Sequence, residues 1–325
     1  MPGHPFVSII ADQSRMITRI LAMAFNTYRE AVRARVLFGV FALGIATGVY
    51  SLFVATLSLH NELRVVADIG AASLSGYGVL VAIVLGSTSL YRELEHKTIF
   101  PILSRPIRRW EYLLGKYLGI LLTVFAFILV ETAMVLTMLA LEAGEPPLRV
   151  GGAVLGMLAV LGAVVFGARY TRDFLAIPWA FALALVTWGL AAPAGQDRQL
   201  VCASAALAVC EVAIVTGVAT LFASFSSPFL TATFTGMVFV IGRSADTLAH
   251  LPAKIFGGLA TGVFALIARL VPNLQIYVPA RPVLLGQVVG QPVLTYLGVA
   301  AVHAVCYTTA LVVVGALAFR KRDFS

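Results

Sequence analysis

The chain of 325 residues is 60% hydrophobic and only 12% charged, with a mean hydropathy of +0.95, a make-up that excludes an ordinary soluble domain. Its formal net charge of +8 does not mark a nucleic-acid binder, because the cations lie beside apolar segments and not on a soluble basic face. Cys202, Cys210 and Cys306 sit in apolar runs without CxxC spacing or nearby ligands, so they read as small core residues and not as a metal or redox site.

Residues 5–35 come first in the chain. On a helical wheel Ile17, Ile20, Leu21, Ala24, Tyr28 and Ala31 share one face, with Arg15, Arg19, Asn26, Arg29 and Arg33 opposite. A basic amphipathic helix beside a span lies in the membrane interface, so residues 1–35 are expected to form an interfacial helix. The N-terminus lacks the short apolar core and cleavage site of a signal peptide, and residues 36–325 read as one transmembrane domain.

Apolar segments follow at 36–57, 69–90, 113–141, 150–168, 174–193, 199–225, 228–242, 255–271 and 292–319. Solid apolar runs without alternation exclude a β-barrel, so each span must be a helix. Nine crossings would put Arg320, Lys321 and Arg322 opposite the Arg-rich N-terminus, whereas eight put both ends inside and leave 16 of the 23 Lys and Arg on the cytoplasmic side. Eight is the expected number. The two weakest candidates are 228–242 and 255–271, and the one taken not to cross is 255–271, which is Gly-rich and flanked by Lys254 and Arg269 only about 22 Å apart on a helix. It leads into "VPNLQIYVPARPVLLGQ", and residues 249–285 are expected to form an external re-entrant helix pair. The pairs Gly44/Gly48, Gly115/Gly119 and Gly258/Gly262 have the GxxxG spacing of close helix contacts.

Between the second and third spans lies "YRELEHKTIFPILSRPIRRWEYLLGKYLG", Tyr91 to Gly119, with six Lys or Arg and three Glu. Its front can be helical, Glu93 and Lys97 standing at i and i+4, and its back breaks at Pro106 before re-entering the membrane. A solvated anchor loop would explain the cations but not the ordered, amphipathic length.

An amphipathic N-terminal helix, a second span followed by "RELEHKTIFPILSRPIRRWEYLLGKYLG" and a last span ending "LAFRKRDF" together resemble the ABC-2 type permeases, the membrane subunits of ABC transporters. The specific matches are Glu95, Lys97, Thr98, Leu103, Ser104, Arg105, Pro106, Arg109, Tyr112, Gly115, Lys116 and Gly119; "LFASFSSPFL" and "LVPNLQIYV" match more weakly. "HKTIFPILSRPI" is similar to the branch labelled for multicopper-enzyme maturation.

The resemblance implies that residues 91–112 form a cytoplasmic coupling segment. Glu93, Glu95, His96, Lys97, Thr98, Ser104, Arg105, Pro106 and Arg109 would dock it on an ATP-binding subunit. It also implies that the N-terminal helix is the family's elbow, that 249–285 are its external helices, and that 150–193 add a helix pair to a core of six. Two ATP-binding subunits, a second permease subunit, surrounding lipid and a periplasmic accessory protein are the implied partners, in a prokaryotic inner membrane and with export as the direction. The partner would bind ATP and magnesium, since "LLGKY" lacks the upstream Gly and following Ser or Thr of a phosphate-binding loop. No cofactor is expected in this chain.

Glu131 in "FILVETAMV" and Glu211 in "AVCEVAIV" fall inside spans, where a carboxyl is costly and marks either a polar path, a protonation switch or a hydrogen-bonded helix tie. Thr132, Thr137 and Thr216 are the candidate partners of such a tie. His303, alone on an apolar helix, reads as a packed histidine and not a metal ligand. Arg243 and Asp246 are expected to pair locally at i and i+3, and the threonines of "TATFTG" either line a path or bond back to their own helix. The rival functions are an ion-gradient-driven transporter, or an intramembrane enzyme using Glu131, Glu211 or His303. No HExxH, GxSxG or paired-carboxylate motif and no evident internal repeat favours them.

Overall fold

The computed structural model describes residues 5–95, 108–167, 172–250, 258–288 and 292–320. Among these residues every regular element is helical: α1 (Pro5–Val32), α2 (Arg35–Thr56), α3 (Glu62–Glu95), α4 (Arg109–Glu142), α5 (Pro147–Gly167), α6 (Arg172–Leu190), α7 (Gln196–Ala223), α8 (Pro228–Arg243), α9 (Ala245–Ala249), α10 (Gly258–Leu270), α11 (Arg281–Leu284) and α12 (Val293–Arg320), with two short 3₁₀ turns. Six of them, α2, α3, α4, α5, α7 and α12, are long and apolar enough to cross a membrane, and the apolar parts of α6 and α8 are shorter. The expected eight spans correspond to these eight helices. The remaining apolar segment, 255–271, becomes the 13-residue α10, about 20 Å long, which packs chiefly on α9.

The bundle is built around α3, α4 and α7, which pack on one another. In α4 the buried residues Leu113, Tyr117, Ile120, Val124, Ile128, Glu131, Val135 and Leu139 recur at three or four residues, and Leu200, Ala203, Leu207, Glu211, Ile214 and Val218 do the same in α7. In lipid such a stripe is drawn together by close packing and not by water exclusion, so small residues sit at the tight crossings. Gly70 of α3 faces Val135 of α4, and Gly86 of α3 faces Ala219 of α7. Around this core lie α2, α6, α8 and α12, while α5 packs chiefly on α6, where the Trp179 indole donates to the Met157 carbonyl at 2.8 Å.

α1 lies along the first half of α4. Ile20, Ala24, Thr27, Tyr28 and Ala31 are buried against it, and Arg29 and Arg33 stay exposed, as the wheel predicts. Ile17 and Leu21 of the same face are exposed, because α4 covers only part of it. The GxxxG pair on α4 makes this contact: a methyl on Gly115 would meet Met23 and the Ile20 carbonyl, and one on Gly119 would overlap the Ala24 carbonyl and Thr27. Gly44 and Gly48 likewise face α4, at Glu131 and Met138, whereas Gly262 faces open space.

Candidate functional site

α3 and α4 are both 34 residues long, or about 51 Å, against roughly 30 Å of hydrocarbon. They flank the polar connection and carry it beyond the apolar part of α3, which gives way to charge at Arg92. Glu93 and Glu95 fall in the last turns of α3, and Arg109 opens α4. His96, Lys97, Thr98, Ser104, Arg105 and Pro106 lie outside the described residues.

The base of this hairpin is tied to α1 by charges. Glu111 accepts the backbone N–H of Arg108 at 3.3 Å, capping α4, and lies 3.8 Å from Arg19 of α1. Lys116 is only 2% exposed, with its ammonium 3.8 Å from Glu30 of α1 and donating to Ser89 of α3 at 3.3 Å. Phe25 meets Phe174 edge-on with ring centroids 4.8 Å apart, and the Arg29 guanidinium lies 5.9 Å from the same ring. α1, α3, α4 and the start of α6 therefore meet at one junction beside the polar connection.

A second polar site lies inside the bundle. Glu211, fully buried near the midpoint of α7, receives Arg243 in a two-pronged pair, Nε to Oε1 at 2.7 Å and Nη2 to Oε2 at 3.1 Å. Ser75 of α3 donates to Oε2 at 2.6 Å and also accepts from Arg243. Fork-to-carboxylate geometry is the strongest form of such a pair, and Arg243 stands in the last turn of α8, where the helix dipole favours a cation. The expected local pair with Asp246 does not form. Asp246 instead accepts from Asn273 at 2.8 Å, because a buried carboxylate offers Arg243 more than an exposed one does.

Glu131 is also fully buried, but its setting differs. Its carboxyl packs against the bare backbone of Gly44, Ser73 reaches Oε1 at 3.4 Å, and Oε2 has no hydrogen-bond partner among the described residues. The threonines named as candidate partners do not reach either glutamate. Thr132 and Thr137 donate to their own helix at Ile128 and Ala133, and the Thr216 hydroxyl has no partner among the described residues. Thr233 and Thr235 of α8 also bond back to their own helix, at Phe229 and Thr231.

His303 is half-buried on α12. Its Nδ1 lies 2.8 Å from the Tyr277 hydroxyl, which is 3.3 Å from the Ala300 carbonyl. Burial pushes the Tyr277 phenol well above its usual range, and Cys210 and Glu211 nearby add to the rise, so it remains an O–H donor. Tyr296 donates to the Ile276 carbonyl at 2.6 Å and Tyr307 to the Leu270 carbonyl at 2.9 Å. One face of α12 thus holds segment 270–277. Glu131, Glu211 and His303 each have separate partners, and none of the three hydrogen-bonds or ion-pairs with another among the described residues.

A cavity of about 470 Å³ opens between α3, α7, α8 and segment 275–284. Arg243 and Ser75 line one part, and Asp68 and Arg281 another; the span from Asp68 to Ser75 is about 10 Å along α3. Arg281 of α11 bridges Asp68 of α3, at 2.5 Å, and Asp197 of α7. Sequence reading treated Arg281 only as a topological cation and missed Asp68, Asp197 and Ser75. The available signal was electrostatic: carboxylates within or at the ends of apolar helices favour cationic partners.

The family model described as ABC-2 family transporter protein matches residues 13–324, nearly the whole chain, as a family and not as the multicopper branch within it. A search of curated proteins found no match.

Proposed function

The chain belongs to the ABC-2 family of transporter proteins, a membrane subunit of an ABC transporter, and we propose that it couples ATP hydrolysis by a separate subunit to export. The observation that carries this reading is mechanical. The polar segment 91–112 is borne on the joined ends of α3 and α4, the two longest helices, and both belong to the buried core. Force applied there enters the bundle directly.

In this mechanism two ATP-binding subunits, holding ATP and magnesium, grip Glu93, Glu95 and the 96–109 segment of two permease copies. Their closure tilts α3 and α4, with α1 following through Arg19–Glu111 and Glu30–Lys116. α1 acts as the interfacial elbow, α5 and α6 as the pair added to a six-helix core, and 249–285 as the external region. The cavity between Arg243 and Arg281 forms the outer part of the path, and the ion pairs at its two parts change partners as access alternates. An inner membrane of a prokaryote is the setting.

Charge reversal tests the docking role. Glu93→Lys with Glu95→Lys should lower recovery of the ATP-binding subunit on affinity purification more than about tenfold, since two like-charge contacts replace two favourable ones. The variant should keep the wild-type melting temperature. Undiminished recovery would remove the docking role from these residues.

A further inference from the structure

Among the described side chains, the cations on the outer side of the bundle, remote from the 96–107 connection, are matched by carboxylates with one exception. Arg64 pairs with Asp68 at 3.7 Å, Arg149 with Glu145 at 3.1 Å, Arg243 with Glu211 at 2.7 Å, and Arg281 with Asp68 and Asp197. Arg198, in the first turn of α7, is that exception among the described side chains. Among the described residues no carboxylate lies within ion-pair distance of it, and the carboxylate of its neighbour Asp197 is turned to Arg281. Its guanidinium lies over the Trp188 ring, 4.1 Å from the centroid, and Nη1 donates to the Trp188 carbonyl at 3.2 Å.

Trp188 is also the end wall of an apolar groove. Between α4, α6 and α7 a groove of about 410 Å³ is lined by Phe125, Leu129, Phe181, Trp188 and Val209 among others. Phe181, Leu185 and Trp188 are about half exposed along it. The groove runs along the apolar helices α4, α6 and α7, and its shape and lining suit an acyl chain. A tryptophan at the interface with an unmatched arginine above it is suited to hold the other end of the same molecule, an anionic phosphate.

We propose that this groove binds one anionic phospholipid of the outer leaflet, its acyl chain along α4, α6 and α7 and its phosphate on Arg198. α6 belongs to the helix pair that the family core lacks in the reading above, and the lipid would fill the gap between that pair and the core. The proposal requires only the membrane placement and does not depend on ATP coupling.

Trp188 itself reports occupancy. In a full-length chain carrying Trp110→Phe and Trp179→Phe, Trp188 is the sole tryptophan, since the sequence has three. The chain is placed in phosphatidylcholine nanodiscs containing either phosphatidylglycerol or phosphatidylcholine with brominated acyl chains, and Trp188 fluorescence is followed. Brominated phosphatidylglycerol should quench at a mole fraction about fivefold lower than brominated phosphatidylcholine, the preference worth of one interfacial cation. Arg198→Gln should abolish the preference and Arg198→Lys should keep most of it. Should Arg198→Gln not fold, high salt should erase the preference in the sole-tryptophan chain. Equal quenching by both lipids, a preference that survives both Arg198→Gln and high salt, or no quenching by either because a second copy or another protein covers the groove, would overturn it.

Discussion

Glu211→Gln is expected to destabilise the protein by about 3–5 kcal/mol, because it leaves the Arg243 guanidinium facing a neutral amide in a buried site. Glu131→Gln should cost less than about 1 kcal/mol, since no cation among the described residues pairs with Glu131 and an amide of the same shape keeps the Ser73 contact. The two glutamates look equivalent in sequence, each alone in an apolar helix, yet their environments differ by one arginine. Replacing the whole pair, Glu211→Met with Arg243→Met, should recover most of the lost stability, as apolar replacements of buried ion pairs do. Thermal unfolding in detergent compares the three variants. If the recovered double variant no longer supports ATPase stimulation in the assembled transporter, the pair acts in the path; if stimulation is normal, it only ties α3, α7 and α8 together.

Gly119→Val should cost about 2–3 kcal/mol and release α1 from α4. The new side chain would enter the space of the Ala24 carbonyl and Thr27, and a backbone carbonyl cannot step aside as a flexible side chain does. With α1 displaced, Arg19 and Glu30 leave Glu111 and Lys116, and a buried ammonium loses its carboxylate. Gly156→Val on α5, where nothing lies within 4 Å, is the matched control and should stay within about 0.5 kcal/mol of wild type. Melting temperatures and protease sensitivity near residue 33 would show the difference. A Gly119→Val protein as stable as the control would mean that α1 does not depend on this contact.

The helices were legible because their signal is local. Apolar runs such as 113–141 and 199–225 became Arg109–Glu142 and Gln196–Ala223, since hydrocarbon demands that each spanning segment satisfy its own backbone. The buried face of α1 followed from its period. Pairing across the bundle was not legible, because it depends on rotation and depth of helices far apart in sequence. Arg243 sits three residues from Asp246 and 32 from Glu211, and sequence distance favours the wrong partner. Lys116 was noted only as part of a family pattern; its position inside an apolar helix already required an acid on a neighbour, and Glu30 on the adjoining amphipathic helix was available. Ser75 and Arg281 carried no comparable signal, since a serine in a span and an arginine in a loop are common. The residues that line the cavity therefore emerged only when α3, α7, α8 and segment 275–284 were brought together.

The central claim is that this chain transmits the work of an ATP-binding subunit. Its most direct test is affinity purification of the tagged chain from its native host in mild detergent, with identification of the co-purifying proteins and an ATPase assay of the product. The account predicts an ABC-type ATP-binding subunit in stoichiometric amount and ATP hydrolysis by the complex. A chain that is stable and monodisperse but emerges alone, without ATPase activity across detergents and salt concentrations, would contradict it.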